Sequence, residues 1–134
     1  MIKKNNKGYM LVELILASAL AFGMAYFLIS LTMKLKDKND DLLVTTLTKT
    51  DQAIITNIIM KDLYETNGSG FNCNDIKING KNFSYKDKVN IVNKYATVGN
   101  NDCNISSDTI EITIPLNVPQ LPNEDFNINI KYKK

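Results

Sequence analysis

Glu13 is the only charged residue in a run of 25 mostly apolar residues that extends from Tyr9 to Met33. A carboxylate at membrane depth costs roughly 2.5–3.5 kcal/mol near the centre of a spanning helix, and less toward an end. The sequence therefore predicts a partner that neutralises Glu13. Cutting the chain between Gly8 and Tyr9 would supply one, because the new α-amino group is cationic and would lie four residues before Glu13.

The residues around this junction carry a family pattern. The segment KGYMLVEL, residues 7–14, resembles the class III signal of type IV pilins and type II secretion pseudopilins. In that family a short basic leader ends in glycine and is followed by an aromatic residue, usually Phe, then three mainly apolar residues, Glu and a long apolar helix. Gly8 matches the residue before the cut, Tyr9 replaces the usual Phe, and Glu13 matches the glutamate. The motif covers about 25 residues, and the rest of the chain is similar to the family only in layout.

The resemblance implies how the chain would be processed and assembled. A prepilin peptidase would remove residues 1–8, and Tyr9 would then be N-methylated. The mature chain would cross the bacterial cytoplasmic membrane once, with its head outside. An assembly platform protein and other pilin-like subunits would be its partners in a cell-surface or envelope-spanning filament, where the amine at Tyr9 would neutralise Glu13. The basic residues of the leader are Lys3, Lys4 and Lys7.

A secretory signal peptide or an uncut signal anchor would also contain an apolar run near the N-terminus. A signal peptide has an apolar core of about 7–15 residues and is cut after that core. Here the run is long enough to cross a bilayer, roughly 38 Å as a helix, and the candidate cut precedes it. An uncut signal anchor is the simplest alternative. Charge does not settle the topology, because lysines flank both ends of the run.

Residues 34–66 predict an amphipathic continuation of the helix beyond the 9–33 span. Its apolar face is expected to pack against the head, since the pattern lacks the sustained heptads of a coiled coil. The helix is expected to end near Glu65, before the stop signal NGSG at residues 67–70. The apolar residues with helical spacing are Leu43, Val44, Leu47, Ile54, Ile55, Ile58 and Ile59. Those expected on the other side are Lys49, Gln52, Thr56 and Asn57.

Residues 67–134 predict a small β-rich head, which makes the fold class α+β. Alternation of apolar and polar residues predicts strands over 76–78, 83–85, 110–114 and 126–132. Asn79-Gly80 is predicted as a two-residue hairpin turn. Residues 89–92 and 95–98 are short strand candidates, and three prolines oppose regular structure over 115–122. An antiparallel sheet packed on the helix explains both patterns together.

Cys73 and Cys103 are the only cysteines. In an exported head they favour one disulfide, which would join the loop after the helix to the loop before the Ile110 strand. Two separate buried thiols are the alternative. The oxygen-rich segments at 100–102 and 40–41 lack the spacing of a calcium loop, so they are interpreted as turns and solvated charge. No metal or cofactor is expected.

Composition narrows the function classes. The net charge is only +2, and the chain has no histidine, arginine or tryptophan. Since histidine is the commonest general acid/base and arginine the usual clamp for phosphate, an enzyme is disfavoured. Three hypotheses remain. The first is a pilin-like structural subunit of a type IV pilus, competence pilus or type II secretion pseudopilus, and the small head favours a minor or accessory subunit. The second is a membrane-tethered surface binding module that never polymerises, and the third is an enzyme, for which the sequence offers no constellation of site residues. The sequence does not decide whether nucleic acid is a partner.

Overall fold

A computed structural model of the chain describes residues 7–79, 81–86 and 88–134. One long N-terminal helix is followed by small antiparallel β-sheets, which confirms the predicted α+β class. The contacts divide the chain into two compact units, Met1–Asp40 and Asp41–Lys134. The leader residues Lys3 and Lys4 and the predicted turn residue Gly80 lie outside the described residues.

Helix α1 extends from Lys7 to Glu65. Its first part is rich in leucine, alanine and methionine, which have high helix propensity, and Gly23 is the residue there that costs about 1 kcal/mol relative to alanine. In the first unit its apolar side chains are exposed, including Tyr9 and Phe27. The predicted helix end near Glu65 is confirmed.

Backbone geometry explains why the helix stops there. Asn67 and Gly68 both have positive φ angles, of 50° and 70°, and the Gly68 amide donates a hydrogen bond to the carbonyl of Leu63 at 2.9 Å. This left-handed ending satisfies a carbonyl of the last turn. A Cβ at Gly68 would lie 3.2 Å from side-chain atoms of Ile110 and Tyr132, so glycine also lets the sheet approach the helix end.

The described part of the head contains three small antiparallel sheets rather than the single sheet expected. A one-turn 3-10 helix, Cys73–Asp75, precedes the strands. The strands are β1 Ile76–Asn79, β2 Asn82–Tyr85, β3 Lys88–Ile91, β4 Thr97–Val98, β5 Asp102–Ile105, β6 Thr109–Ile114, β7 Leu116–Asn117 and β8 Ile128–Lys133. In the first sheet, β2 lies between β1 and β3. The second sheet pairs β4 with β7, and in the third sheet β6 lies between β5 and β8.

One hydrophobic core joins the sheets to the part of the helix in the second unit. The alternation that predicted β6 and β8 is confirmed, because every second side chain on both strands is buried. Burying each large apolar side chain contributes about 1.5–3 kcal/mol. The helix supplies Val44, Ile55, Ile59 and Leu63 to this core, and β6 and β8 supply Ile110, Ile112, Ile114, Ile128, Ile130 and Tyr132.

Two strands lie where loops were expected. Cys103 and Asp102 belong to β5, and neither lies in a loop or turn. Asparagine and aspartate are poor strand formers, but the pairing of Cys103 with Ile112 and of Ile105 with Ile110 holds this segment on the edge of the sheet. Strand β7 interrupts the proline-rich connector, where proline is tolerated because the two-stranded sheet consists only of edges.

The predicted apolar face of the helix is partly wrong. Leu43, Leu47 and Ile54 are exposed, whereas Thr48 is fully buried. Gln52, expected on the solvent side, is half-buried and donates a hydrogen bond to the Asn127 carbonyl at 3.3 Å. The buried face is narrower than the apolar pattern, because the sheets cover only one side of the helix.

Asn79, predicted as a turn residue, belongs to strand β1 and pairs with Asn82 of β2. The prediction that Asn79 lies in the turn is therefore wrong. The other predicted strand boundaries differ by one or two residues from those observed, and Phe126 is buried just before β8 begins.

Candidate processing and assembly site

The candidate cleavage junction lies in the first turn of α1. Among the described residues, apart from its chain neighbours and the backbone of its own helix, no heavy atom lies within 4 Å of the position that a Cβ would take at Gly8, and Tyr9 is exposed. The described surroundings of the Gly8–Tyr9 bond are therefore open, and a peptidase that unwinds this turn would meet no packed side chain.

Glu13 lies one helical turn beyond Tyr9. Its side chain is exposed, and within the described part of the chain it forms no hydrogen bond or ion pair. The four-residue spacing places it on the same side of the helix as Tyr9. The site thus presents a single carboxylate on an apolar helix surface.

The helix around Glu13 is suited to an apolar environment. In the described residues it is the one helix that is long and apolar enough to cross a membrane. A signal sequence near an N-terminus can have the same length and apolar composition. The hydroxyl groups of Ser18 and Thr32 donate to the carbonyls of Ile15 and Leu28, each at 2.8 Å, so these polar side chains need no water.

A second exposed apolar surface lies on the helix within the second unit. The exposed fractions are 64% for Leu42, 49% for Leu43, 36% for Leu47 and 41% for Ile54. Residues 43, 47 and 54 share one helix face, because their spacings of four and seven residues are close to whole turns. We call these three residues the outer aliphatic face. None of them belongs to the core of the head.

Asp62 fastens the first sheet to the last turns of the helix. The Tyr85 hydroxyl donates to its carboxylate at 2.6 Å, and Lys86 donates to both carboxylate oxygens at 2.8 Å. Burial raises the pKa of Tyr85 well above its usual value of 10, and the hydrogen bond and negative charge of Asp62 and the charge of Asp75 act in the same direction. Lys86 has a positive φ of 52°. We call this group the Asp62 clamp.

A second set of hydrogen bonds holds the segment after β3 against helix α1. The backbone and side-chain amides of Asn93 both donate to Asp51, each at 2.8 Å. The same side chain donates to the hydroxyl of buried Thr48 at 3.2 Å and accepts from the Tyr95 amide. This network fixes the chain that leads from the first sheet to β4.

Cys73 and Cys103 form a disulfide with a Cα–Cα distance of 5.9 Å. It joins the 3-10 helix to β5, and therefore links the approach to the first sheet with the edge of the third. The alternative of two free thiols does not hold, since the described cysteines are both bonded. The pairing was predicted, but the strand that carries Cys103 was not.

The described residues contain no group of three or more histidine, cysteine or acidic side chains placed to hold a metal ion. No protein-family model, curated protein or solved structure matches this chain. The sequence predicts Gly8, Tyr9 and Glu13 as candidate site residues, whereas it signals neither the Asp62 clamp nor the exposure of the outer aliphatic face. Both depend on contacts between distant segments, which no local motif signals.

Proposed function

We propose that the chain is a pilin-like structural subunit of a type IV pilus, competence pilus or type II secretion pseudopilus. A prepilin peptidase removes residues 1–8, and the subunit waits in the bacterial cytoplasmic membrane on its N-terminal helix with the head outside. It then leaves the membrane and packs beside other pilin-like subunits. The leader signal and the long apolar helix support this proposal.

The outer aliphatic face is the observation that carries the proposal. A helix that only anchors the head in the membrane needs exposed apolar side chains only in the part that contacts lipid. Leu43, Leu47 and Ile54 lie well past the predicted span, on a helix face that the head leaves uncovered. Burying each of them against a neighbouring helix would contribute about 1–2 kcal/mol, given the part already covered. A filament provides such neighbours along the whole helix.

Glu13 supplies specificity in this assembly. An unpartnered carboxylate in a dry bundle is expensive, and a charge pair is tolerable only with good geometry. After cleavage the amine at Tyr9 becomes the available cation. In a single chain it lies one turn away, so the amine of a neighbouring subunit can approach Glu13 more directly. The pair would set the axial register between subunits.

The test separates insertion, cleavage and incorporation in one strain. Glu13→Gln keeps the shape and removes the charge, so it should leave membrane insertion and leader cleavage intact but lower the amount in the sheared extracellular fraction at least tenfold. Asp40→Asn, which removes one charge outside the apolar run, is the control and should behave as wild type. Normal incorporation of Glu13→Gln would exclude an essential charge pair.

A matched pair of variants tests the outer aliphatic face. Leu47→Glu places a charge on this face, whereas Lys49→Glu changes an exposed residue on another side of the same helix. Filament packing predicts that Leu47→Glu is cut and inserted normally but excluded from the sheared fraction, while Lys49→Glu is incorporated. Equal incorporation of both variants would contradict burial of this face and favour a membrane tether.

A further inference from the structure

The charges of the head are segregated along the chain. Residues 76–94 contain five lysines and one acidic residue, whereas residues 95–130 contain five acidic residues and no lysine. The two stretches therefore carry net charges of +4 and −5, although the whole protein is close to neutral. The lysines are Lys77, Lys81, Lys86, Lys88 and Lys94, and the later acidic residues are Asp102, Asp108, Glu111, Glu124 and Asp125.

Three of these lysines lie in or next to the first sheet: Lys77 in β1, Lys81 between β1 and β2, and Lys94 after β3. Lys77, Lys81 and Lys94 are exposed, and no acidic side chain among the described residues pairs with them. Lys81 donates to the Lys94 carbonyl at 2.7 Å, which holds the two residues together. Lys86 is not counted, because the Asp62 clamp neutralises it. We call Lys77, Lys81 and Lys94 the basic face.

The acidic counterpart lies between β7 and β8. Glu124 and Asp125 are exposed there, and neither forms an ion pair with a described side chain. Asp125 accepts a hydrogen bond from the Asn127 amide at 2.9 Å, while Gln120 in the same segment donates to Asp41 at 3.2 Å. We call Glu124 and Asp125 the acidic connector.

The two patches are attached to different flanks of the helix within the second unit. The first sheet and the segment after it are held at Asp51 and Asp62, and the connector is held at Asp41 and Gln52. Each pair is 11 residues apart, or about three whole turns, so its members share a flank. Asp51 and Gln52 are adjacent in sequence, and their flanks therefore differ by about 100°.

We infer that the basic face of one head contacts the acidic connector of the next copy of this chain. Unlike patches on different flanks favour a heterologous contact, which builds rings or open helical arrays. A patch that matched itself would instead build two-fold dimers. Charge complementarity of this kind sets orientation and partner choice more than affinity. The inference rests on the proposed filament and names a contact between its heads.

Zero-length carbodiimide cross-linking of the full-length protein tests the contact. Two differently tagged copies are co-expressed, so that a product carrying both tags joins separate chains. Peptide mass spectrometry should then find Lys77 or Lys94 joined to Glu124 or Asp125. Raising the salt from 50 to 500 mM should reduce the yield severalfold, because the charges are exposed.

Charge reversal distinguishes this contact from general adhesion. Lys77→Glu/Lys94→Glu alone, and Glu124→Lys/Asp125→Asn alone, should each lower the mixed-tag yield about tenfold. Combining both sets in one chain should restore it. Lys133→Glu/Lys134→Glu is a control with the same change in net charge, and it should cross-link as wild type. Failure of the combined variant to recover would overturn the inference.

A photo-cross-linker at Leu47 reports helix packing independently. If it joins copies while the head cross-link is absent, the head contact is wrong and the filament proposal stands. If neither the Leu47 cross-link nor the cross-link between heads forms, the proposed assembly into a filament is wrong as well. If Lys77→Glu/Lys94→Glu releases DNA from the extracted protein and the combined variant does not regain the mixed-tag cross-link, the basic face serves a polyanion, which also contradicts the contact between heads.

Discussion

Removing the carboxylate of Asp62 should release the first sheet from the end of the helix. Asp62→Ala leaves the Tyr85 hydroxyl without its acceptor, and the Tyr85 side chain is only 2% exposed. An unsatisfied buried hydroxyl costs about 1–3 kcal/mol. The ion pair to Lys86 adds less, about 0.5–1 kcal/mol, because the lysine side chain is 37% exposed and solvent screens it. The expected loss in free energy of unfolding is therefore about 1.5–4 kcal/mol.

Urea unfolding of the detergent-solubilised full chain measures this loss, with the near-ultraviolet circular dichroism of the tyrosines as the signal. If the head unfolds with a slope of about 1.5 kcal/mol/M, a loss of 3 kcal/mol lowers the midpoint by about 2 M. Asp62→Asn keeps an acceptor for the hydroxyl and should lose about 1 kcal/mol. Asp102→Ala removes an exposed aspartate without a side-chain hydrogen bond and should change stability by less than about 0.5 kcal/mol.

A double-mutant cycle with Tyr85→Phe isolates the hydrogen bond between Asp62 and Tyr85. Phe keeps the ring that stacks on Phe71 and removes only the hydroxyl. If the bond contributes as proposed, the two substitutions should couple by about 1–2 kcal/mol. Additive effects, or a loss below about 0.5 kcal/mol for Asp62→Ala, would refute the reasoning.

Three further predictions concern the head. Reduction of the disulfide between Cys73 and Cys103, which are 30 residues apart, should cost about 3–4 kcal/mol in the chain-entropy model; two labelled thiols in unfolded, unreduced protein would exclude the bond. Because the pKa of Tyr85 is raised in the folded protein, the unfolded chain loses the phenol proton at a lower pH than the folded chain does. The free energy of unfolding should therefore fall above about pH 10, by up to 1.4 kcal/mol per pH unit. Tyr85→Phe should remove this contribution to the pH dependence of stability. Gly68→Ala should cost about 1–2 kcal/mol in urea unfolding, because the left-handed backbone and the nearby sheet both oppose a Cβ; an unchanged midpoint would show that neither matters.

Local sequence patterns predict those elements whose structure depends mainly on residues close to one another in the sequence. The helix end follows from Asn67 and Gly68, which favour left-handed backbone. Strands β6 and β8 follow from alternation, because one face of each is buried. Strand β5 could not be predicted this way. Its asparagine and aspartate residues indicate a turn, and only pairing with β6 makes it a strand.

The same distinction between local sequence and tertiary contacts applies to the candidate site and the surfaces around it. Gly8, Tyr9 and Glu13 lie in one short segment, so the sequence alone predicts them as candidate site residues. The outer aliphatic face was assigned to the core, because Leu43 and Val44 are equally apolar and only the position of the sheets separates them. The Asp62 clamp joins residues 23 and 24 positions apart, and the register of the β1–β2 hairpin determines that contact.

Intact-mass measurement of this protein recovered from sheared cell-surface filaments tests the proposed function most directly. A filament subunit should be present in that fraction as a chain that begins at Tyr9, carries one added methyl group at its amine and contains the Cys73–Cys103 bond. Recovery only from the membrane, as a chain that still contains residues 1–8, would contradict the proposal and favour an uncut anchor.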